Sequence, residues 1–268
     1  MKLIVLVENE TNNPDLETRK GLSLYIETAE NKLLFDAGPD ASFISNAKML
    51  GVDLTNVDTA IISHGHNDHG GGLPYFLDLN DKARVYAHEL AFGNYVVYRG
   101  MERYIGLDKE IIKNGRISLV SGDIQIGNGL KLMTVDEGSV IPGQNKGLFE
   151  RKDNGRVPDE FHHELNLLIS EGNKNILVTG CAHRGIVNII ESISKRENIR
   201  IDYVIGGFHL NKFTGEELTE LGIAKKLKNI GAKYIAGHCT GTEQFISLKK
   251  TLKEDMQYLS TGTVLEIN

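Results

Sequence analysis

The sequence predicts an α/β (α+β) fold in which short buried strands alternate with amphipathic helices. Three observations carry that prediction. Six apolar, β-branched runs end in Gly, Asp, Ser or His, where a strand hands over to a loop. Helical patterns alternate with them. No Pro- or Ser-rich linker interrupts the 268 residues, so positions 1–268 read as one domain.

The first strand is expected at Leu3–Val7. One Lys precedes it, and the run is too short for a signal peptide's apolar region and lacks a small-residue cleavage site. Further strands are expected in Leu33–Gly38, Thr59–His66, Asn175–His183, Asp202–Leu210 and Lys233–Gly241. Leu165–Ser170 and Ile176–Gly180 are expected to pair as a hairpin across Glu171–Lys174, and Gly262–Asn268 to return to strand. Helices are expected at Asp40–Leu50 with Asp40 as N-cap, at Gly185–Glu197, and at Thr214–Ile230, where Thr214 and Glu217 form a capping box. A last helix is expected at Thr242–Asp255.

Two segments break the rhythm. Residues 88–115 mix Tyr, Gly and charges around a helix. Residues 139–163 are polar, Gly-rich and aperiodic, which reads as a long active-site loop closing as a lid.

Composition narrows the function classes. The chain is 40% hydrophobic and 25% charged, with a formal net charge of −6. It lacks the broad positive field of a nucleic-acid binder, and no apolar run approaches the ~18 residues of a membrane span. A small-molecule partner is therefore expected; the oligomeric state is not encoded in any pattern. Two cysteines, Cys181 and Cys239, exclude a disulfide framework and point to a reducing cytoplasm.

The chemistry concentrates in Ile61-Ile62-Ser63-His64-Gly65-His66-Asn67-Asp68-His69-Gly70-Gly71-Gly72. Three imidazoles and a carboxylate fall just after an apolar strand. Such donors suit divalent ions, zinc foremost, with iron or manganese as alternatives. On a strand-to-loop turn His64 and His66 can share one ion, while Asp68 and His69 reach a second. One or two ions per chain are expected.

This His-x-His-x-Asp-His pattern resembles that of the metallo-β-lactamase superfamily, over most of the chain. The resemblance implies a four-layer αββα sandwich and a metal-dependent enzyme. Leu33-Leu34-Phe35-Asp36-Ala37-Gly38 looks like its first motif, implying that Asp36 orients the histidine loop. Asn175–His183 sits where relatives end a strand in Gly-Asp with a bridging carboxylate; here Cys181 takes that place. Either a Cys181 thiolate bridges or His183 supplies the missing ligand, and His183 is preferred because a buried Cys usually acts as a small hydrophobe. Tyr234–Gly241 resembles the last motif and makes His238 a ligand for the second ion. His209, at the end of Gly206-Gly207-Phe208-His209, is a candidate ligand, proton donor or substrate contact. His163 or Glu164 is expected beside Cys181 and His183 if the hairpin register holds.

The stretches TGCAHRGIVNII, GGFHL and GHCTG narrow the resemblance. They look like the branch that contains the archaeal 7,8-dihydropterin-6-methyl-4-(β-D-ribofuranosyl)aminobenzene-5′-phosphate synthase. Either a hydrolase or a synthase-like transferase acting on a phosphorylated or pterin-like molecule is implied, with Asp68 and His209 as catalytic candidates. Thr240, Arg184 and Lys212 are candidate contacts to an anionic group. The alternatives are a phosphodiesterase or nuclease, or a non-enzymatic metal-binding or redox protein.

Overall fold

A computed structural model describes residues 1–138 and 140–267. Ser139 and Asn268, which begin the expected loop and close the expected final strand, lie outside the described residues.

The chain begins with β1 (Lys2–Val7), β2 (Ser23–Glu27), β3 (Lys32–Phe35), α1 (Ser42–Met49) and β4 (Thr59–Ile62). It continues through α2 (Asn67–Gly70) and α3 (Leu73–Leu79) to β5 (Arg84–His88), β6 (Tyr95–Arg99), β7 (Met101–Tyr104) and β8 (Ile117–Val120). Next come β9 (Ile124–Gly127), β10 (Leu130–Met133), β11 (Leu148–Lys152), β12 (Gly155–Pro158), β13 (Asn166–Glu171) and β14 (Lys174–Thr179). The remainder alternates α4 (Ile186–Glu197), β15 (Tyr203–Gly207), α5 (Gly215–Glu220), α6 (Ile223–Ile230) and β16 (Lys233–Gly237). It ends with α7 (Thr242–Leu252), β17 (Met256–Tyr258) and β18 (Val264–Glu266).

Two seven-stranded sheets form, in the orders β18-β1-β2-β3-β4-β5-β8 and β17-β16-β15-β14-β13-β10-β9. The period-2 alternation of strand side chains decides what each face meets. Leu3 and Val5 join Ile176, Val178 and Ile205 in a core between the sheets. Their neighbours Ile4 and Leu6 face the other way and pack with Phe43 of α1 and Phe76 of α3. On the far side Leu177 and Val204 meet Ile186, Ile189, Ile190 and Ile193 of α4 and Leu248 of α7. The layers are thus helix, sheet, sheet, helix, in agreement with the αββα expectation. Each fully buried Leu or Ile stabilises the stack by roughly 1.5–3 kcal/mol.

Strands β3 and β4 run parallel, as do β14, β15 and β16. Their C-terminal ends therefore release their loops along one edge, where ligands collect in open α/β sheets.

Four expectations need correction. The N-cap of α1 is Ala41; Asp40 lies one residue earlier, where its Oδ1 accepts the Ser42 N–H at 2.9 Å and its Oδ2 holds Arg19. The capping box of Thr214 and Glu217 is present, but the helix breaks before α6, where Gly222 turns left-handed at φ 65°. Residues 88–115 hold β6, β7 and only a short 3₁₀ turn at Lys109–Lys113. Residues 140–163 are not structureless. β11 and β12 pair with Lys152 opposite Gly155, and β11 adds to β6, giving a third sheet ordered β12-β11-β6-β7. Asp153, Asn154 and Gly155 are ordinary turn formers. The strands they join are charged, β12 exposed and β11 half-buried at its start, so no alternation marked them.

Candidate metal centre

Asp36 and Ser63 set the histidine loop. Asp36 is fully buried just after β3, and its Oδ1 accepts the Ser63 N–H at 2.7 Å. Its Oδ2 takes the Ser63 hydroxyl at 2.7 Å and the His69 Nδ1–H at 2.6 Å. Ser63 Oγ, its proton given away, accepts from His64 Nδ1 at 2.9 Å. Both His64 and His69 are thereby held in the tautomer that turns a bare Nε2 inward. Gly65 is required between them, because a Cβ there would collide with the Ala91 carbonyl.

His183 enters from the loop after β14. Glu164 Oε1 and Oε2 accept the backbone N–H groups of His183 and Arg184 at 2.7 and 3.0 Å. Asn145 Oδ1 accepts His183 Nδ1–H at 2.9 Å, and Phe161 stacks on the ring at 3.8 Å. Asn145 and Phe161 belong to the segment expected as a lid; here that segment braces the centre. His163 does not face the centre: Nδ1 accepts the Gly65 N–H at 3.0 Å and Nε2 meets Asp159. The polar atoms of His163 and Glu164 are thus committed to the turns that carry Gly65, His183 and Arg184.

His238 follows β16, with its backbone N–H on Glu8 and its Nδ1 on Asn9 Oδ1 at 3.0 Å. Asp36, Phe161, Ala182, His209 and His238 all adopt positive φ, between 47° and 59°. Non-glycine residues in this conformation cluster where surrounding structure overrides local strain.

Among the described residues, four donor groups have atoms within 4.8 Å of one another: His64, His66 and His183; Asp68, His69 and His238; His64, His69 and Cys181; and Cys181, His209 and Cys239. Each of the first two groups has the donors to hold one divalent ion. His64 Nε2 and His66 Nδ1 stand 3.0 Å apart, and His69 Nε2 and His238 Nε2 3.1 Å apart. Cys181 Sγ is 3.2 Å from His69 Nε2. His66 Nε2 and His183 Nε2 are buried with no hydrogen-bond partner. Burial holds His66 at about 4 and His209 and His238 at about 3, and pushes His64 and His183 well below the usual histidine range. All five imidazoles are thus neutral near pH 7, the ligating form. Converging lone pairs without donors are satisfied by a divalent cation, so these residues fit the expected ions.

A cavity of about 530 Å³ opens above the centre. His66, Asp68, His183, His209 and His238 form its floor, and Val97, Met101, Tyr104 and Leu148 from the third sheet cover one side. Lys20, Arg99, Arg103 and Lys212 complete its wall. Burial and then the charges of Arg99 and Lys20 depress the Lys212 ammonium, the electrostatic mark of cations gathered together. No carboxylate lies within ion-pair distance of these four among the described residues.

Two expected substrate contacts fall elsewhere. Thr240 is fully buried with its hydroxyl accepting the Phe208 N–H at 3.0 Å. Arg184 donates to the carbonyls of Val135, Glu160 and Asp136, so its guanidinium is spent on tying loops together. Of the expected contacts, Lys212 lies on the cavity wall; Lys20, Arg99 and Arg103, which lie far apart in the chain and in no motif, were not singled out by the sequence. Nor were Ser63, Asn9 and Asn145, whose roles appear only once loops distant in sequence meet.

The sequence matches the family model of the metallo-beta-lactamase superfamily over residues 17–238. The 7,8-dihydropterin-6-methyl-4-(beta-D-ribofuranosyl)-aminobenzene-5'-phosphate synthase of Methanocaldococcus jannaschii is 29% identical over 99% of this chain and 96% of its own length. The uncharacterized protein MJ0448 of the same organism is 30% identical, over 92% of this chain and 93% of its own. Among solved structures Tm1679, described as a metal-dependent hydrolase of the beta-lactamase superfamily, is 30% identical with a TM-score of 0.86, covering 100% of this chain and 99% of that one. Zn(2+)-bound PqqB from Methylobacterium extorquens shares the fold, at 12% identity and a TM-score of 0.60 over the full length of both chains. The family match takes in the whole histidine loop and ends on His238, and it spans most of the sequence: the chain belongs to the metallo-β-lactamase superfamily.

Proposed function

We propose that this chain is a metal-dependent enzyme transferring a group from a small phosphorylated or pyrophosphorylated molecule, pterin-like in its ring. The observation that carries the reading is the set of four unpaired cations on the wall of the cavity whose floor is the metal centre. The synthase from M. jannaschii, aligned over nearly its whole length, favours the pterin-like substrate.

His64, His66 and His183 would hold one ion and Asp68, His69 and His238 the other, with zinc suited to donors of this kind. Bound there, divalent ions supply Lewis acidity and neutralise charge developing on a phosphate leaving group. Lys20, Arg99, Arg103 and Lys212 bind and orient the phosphate oxygens by charge-assisted hydrogen bonds. Asp68 is held at about 2: burial opposes its charge, but neighbouring His69 and His238 outweigh it. It stays ionised and accepts a hydrogen from the incoming nucleophile, fixing its direction. Val97, Met101, Tyr104 and Leu148 offer an apolar wall against which the ring would pack.

Hydrolysis is a second reading, favoured by the likeness to Tm1679. The test is turnover of metal-loaded protein on dihydropterin pyrophosphate, with and without an aromatic amine acceptor, beside phosphodiester, carboxylic ester and lactone controls. Acceptor-dependent release of pyrophosphate is the expected result. Water-only turnover moves the assignment to hydrolase, and turnover confined to uncharged esters overturns the phosphate reading. No helix among the described residues is long and apolar enough to cross a membrane. The two free cysteines, both buried, suit the reducing cytoplasm that we propose as the compartment.

A further inference from the structure

The sheet edge presents a second kind of donor set beside the imidazoles and carboxylate. Cys181, His209 and Cys239 each stand two residues beyond the end of their strands, β14, β15 and β16, which are neighbours in the sheet. The repeated offset brings two sulfurs and an imidazole nitrogen within 4.8 Å of one another, and all three residues border the cavity.

His209 is only 8% exposed, and neither of its ring nitrogens has a hydrogen-bond partner. Its left-handed backbone, φ 47°, is kept in place by its own N–H donating to Cys239 Sγ at 3.3 Å. Gly207 lies between the two cysteines. A Cβ there would stand 2.5 Å from Cys239 Sγ and 2.7 Å from the Gly180 carbonyl. The missing side chain is what lets Cys239 reach across β15 toward Cys181, whose carbonyl is 3.6 Å from Cys239 Sγ. Cysteines serving only as small hydrophobes would not require an unsatisfied imidazole aimed at them.

We propose that Cys181, His209 and Cys239 form a third cation position, taking a thiophilic divalent ion such as zinc and open on its remaining side to the cavity. Two thiolates and one imidazole with a free fourth place is a donor set that zinc accepts in catalytic sites. Thiolate sulfur selects such ions over magnesium or calcium. Binding releases the two thiol protons to the buffer, so two thiolates balance the dication. The open place would receive an oxygen or sulfur donor of the bound ligand. Because Cys181 Sγ also lies 3.2 Å from His69 Nε2, its thiolate would bridge this ion to the neighbouring one.

Cobalt(II) titration of the reduced full-length protein, with elemental analysis after dialysis, tests the site. Thiolate-to-cobalt charge transfer in the near ultraviolet scales with the number of Co–S bonds. The wild type is expected to retain about three ions per chain, and Cys239→Ser about one fewer with a clearly weaker charge-transfer band. His64→Ala should instead lose an ion and keep the sulfur band. Unchanged stoichiometry and band in Cys239→Ser would overturn the third position. Retention of the band with only one ion bound per chain would instead count against the two-ion reading, so the two failures are distinguishable. Should Cys239→Ser fail to fold, cadmium-113 resonance of the wild type decides: a signal in the two-sulfur range supports the site, and its absence overturns it.

Discussion

Asp36 Oδ2 lies 2.6 Å from His69 Nδ1, and the same carboxylate oxygen receives the Ser63 hydroxyl whose oxygen supports His64. One buried acid therefore sets the tautomers of two imidazoles from different turns. Asp36→Asn keeps the shape and loses an acceptor. It should weaken metal affinity by about 10–100-fold while leaving the circular dichroism spectrum unchanged. Wild-type affinity measured by competition with a chelator would contradict this role.

His64→Ala removes an inward nitrogen without touching a strand. Metal content should fall by about one ion per chain, and turnover should drop at least 100-fold with the fold retained. Elemental analysis together with a thermal melt checks it. A variant with full metal and full turnover would remove His64 from the centre.

Glu164 accepts two backbone N–H groups in a fully enclosed position. Glu164→Ala leaves both donors without a partner, at about 1–3 kcal/mol each. The expected outcome is a lower Tm together with weaker metal binding, since His183 hangs from that turn. Glu164→Gln, which keeps one acceptor oxygen, should recover part of both.

Arg103→Ala and Lys212→Ala act on the cavity wall alone. A lost hydrogen bond to a charged group is worth about 1.5–3 kcal/mol. Each should raise KM for a phosphorylated substrate about tenfold or more, with metal content unchanged. Equal effects on charged and uncharged substrates would refute an anion-binding role.

Protein stripped of metal should lose thermal stability as the pH falls from about 6.5 toward about 4. Unfolded histidine titrates near 6.5, whereas burial keeps folded His66 at about 4. Across that window the unfolded chain binds protons that the folded chain refuses, so acidification drives unfolding. Glu8, raised by burial to about 7, acts in the opposite sense, since its stabilising contribution is lost as pH rises through that value. His69 beside Asp36, His162 beside Asp136, and buried Glu164 are also raised and act in that same sense, but six depressed imidazoles, His64, His66, His88, His183, His209 and His238, outnumber these four groups. A Tm that is flat over this range would contradict the burial of those rings.

The strands that lead into the site were legible because each is apolar and buried after its first residue and stops at a polar residue, as with Thr59–Ile62 before His64 and Lys233–Gly237 before His238. The charged hairpin of β11 and β12 carries no such signal and went unseen. At the centre the local cluster from His64 to His69 announced itself by spacing. Arg184 and Thr240 misled because a cation or hydroxyl beside a motif says nothing of its partner, and here backbone groups took both. Lys20 and Arg103 were invisible for the converse reason: only folding brings them to one wall.

The contact between His238 and Asn9 spans 229 positions of sequence, and that between His69 and His238 spans 169. Neither sheet alone owns both partners. A nascent chain that stops before β16 presents the histidine loop but lacks His238, so the group of Asp68, His69 and His238 is incomplete until both sheets are in place. Assembly of that group is therefore a late event in folding, dependent on docking of one sheet against the other.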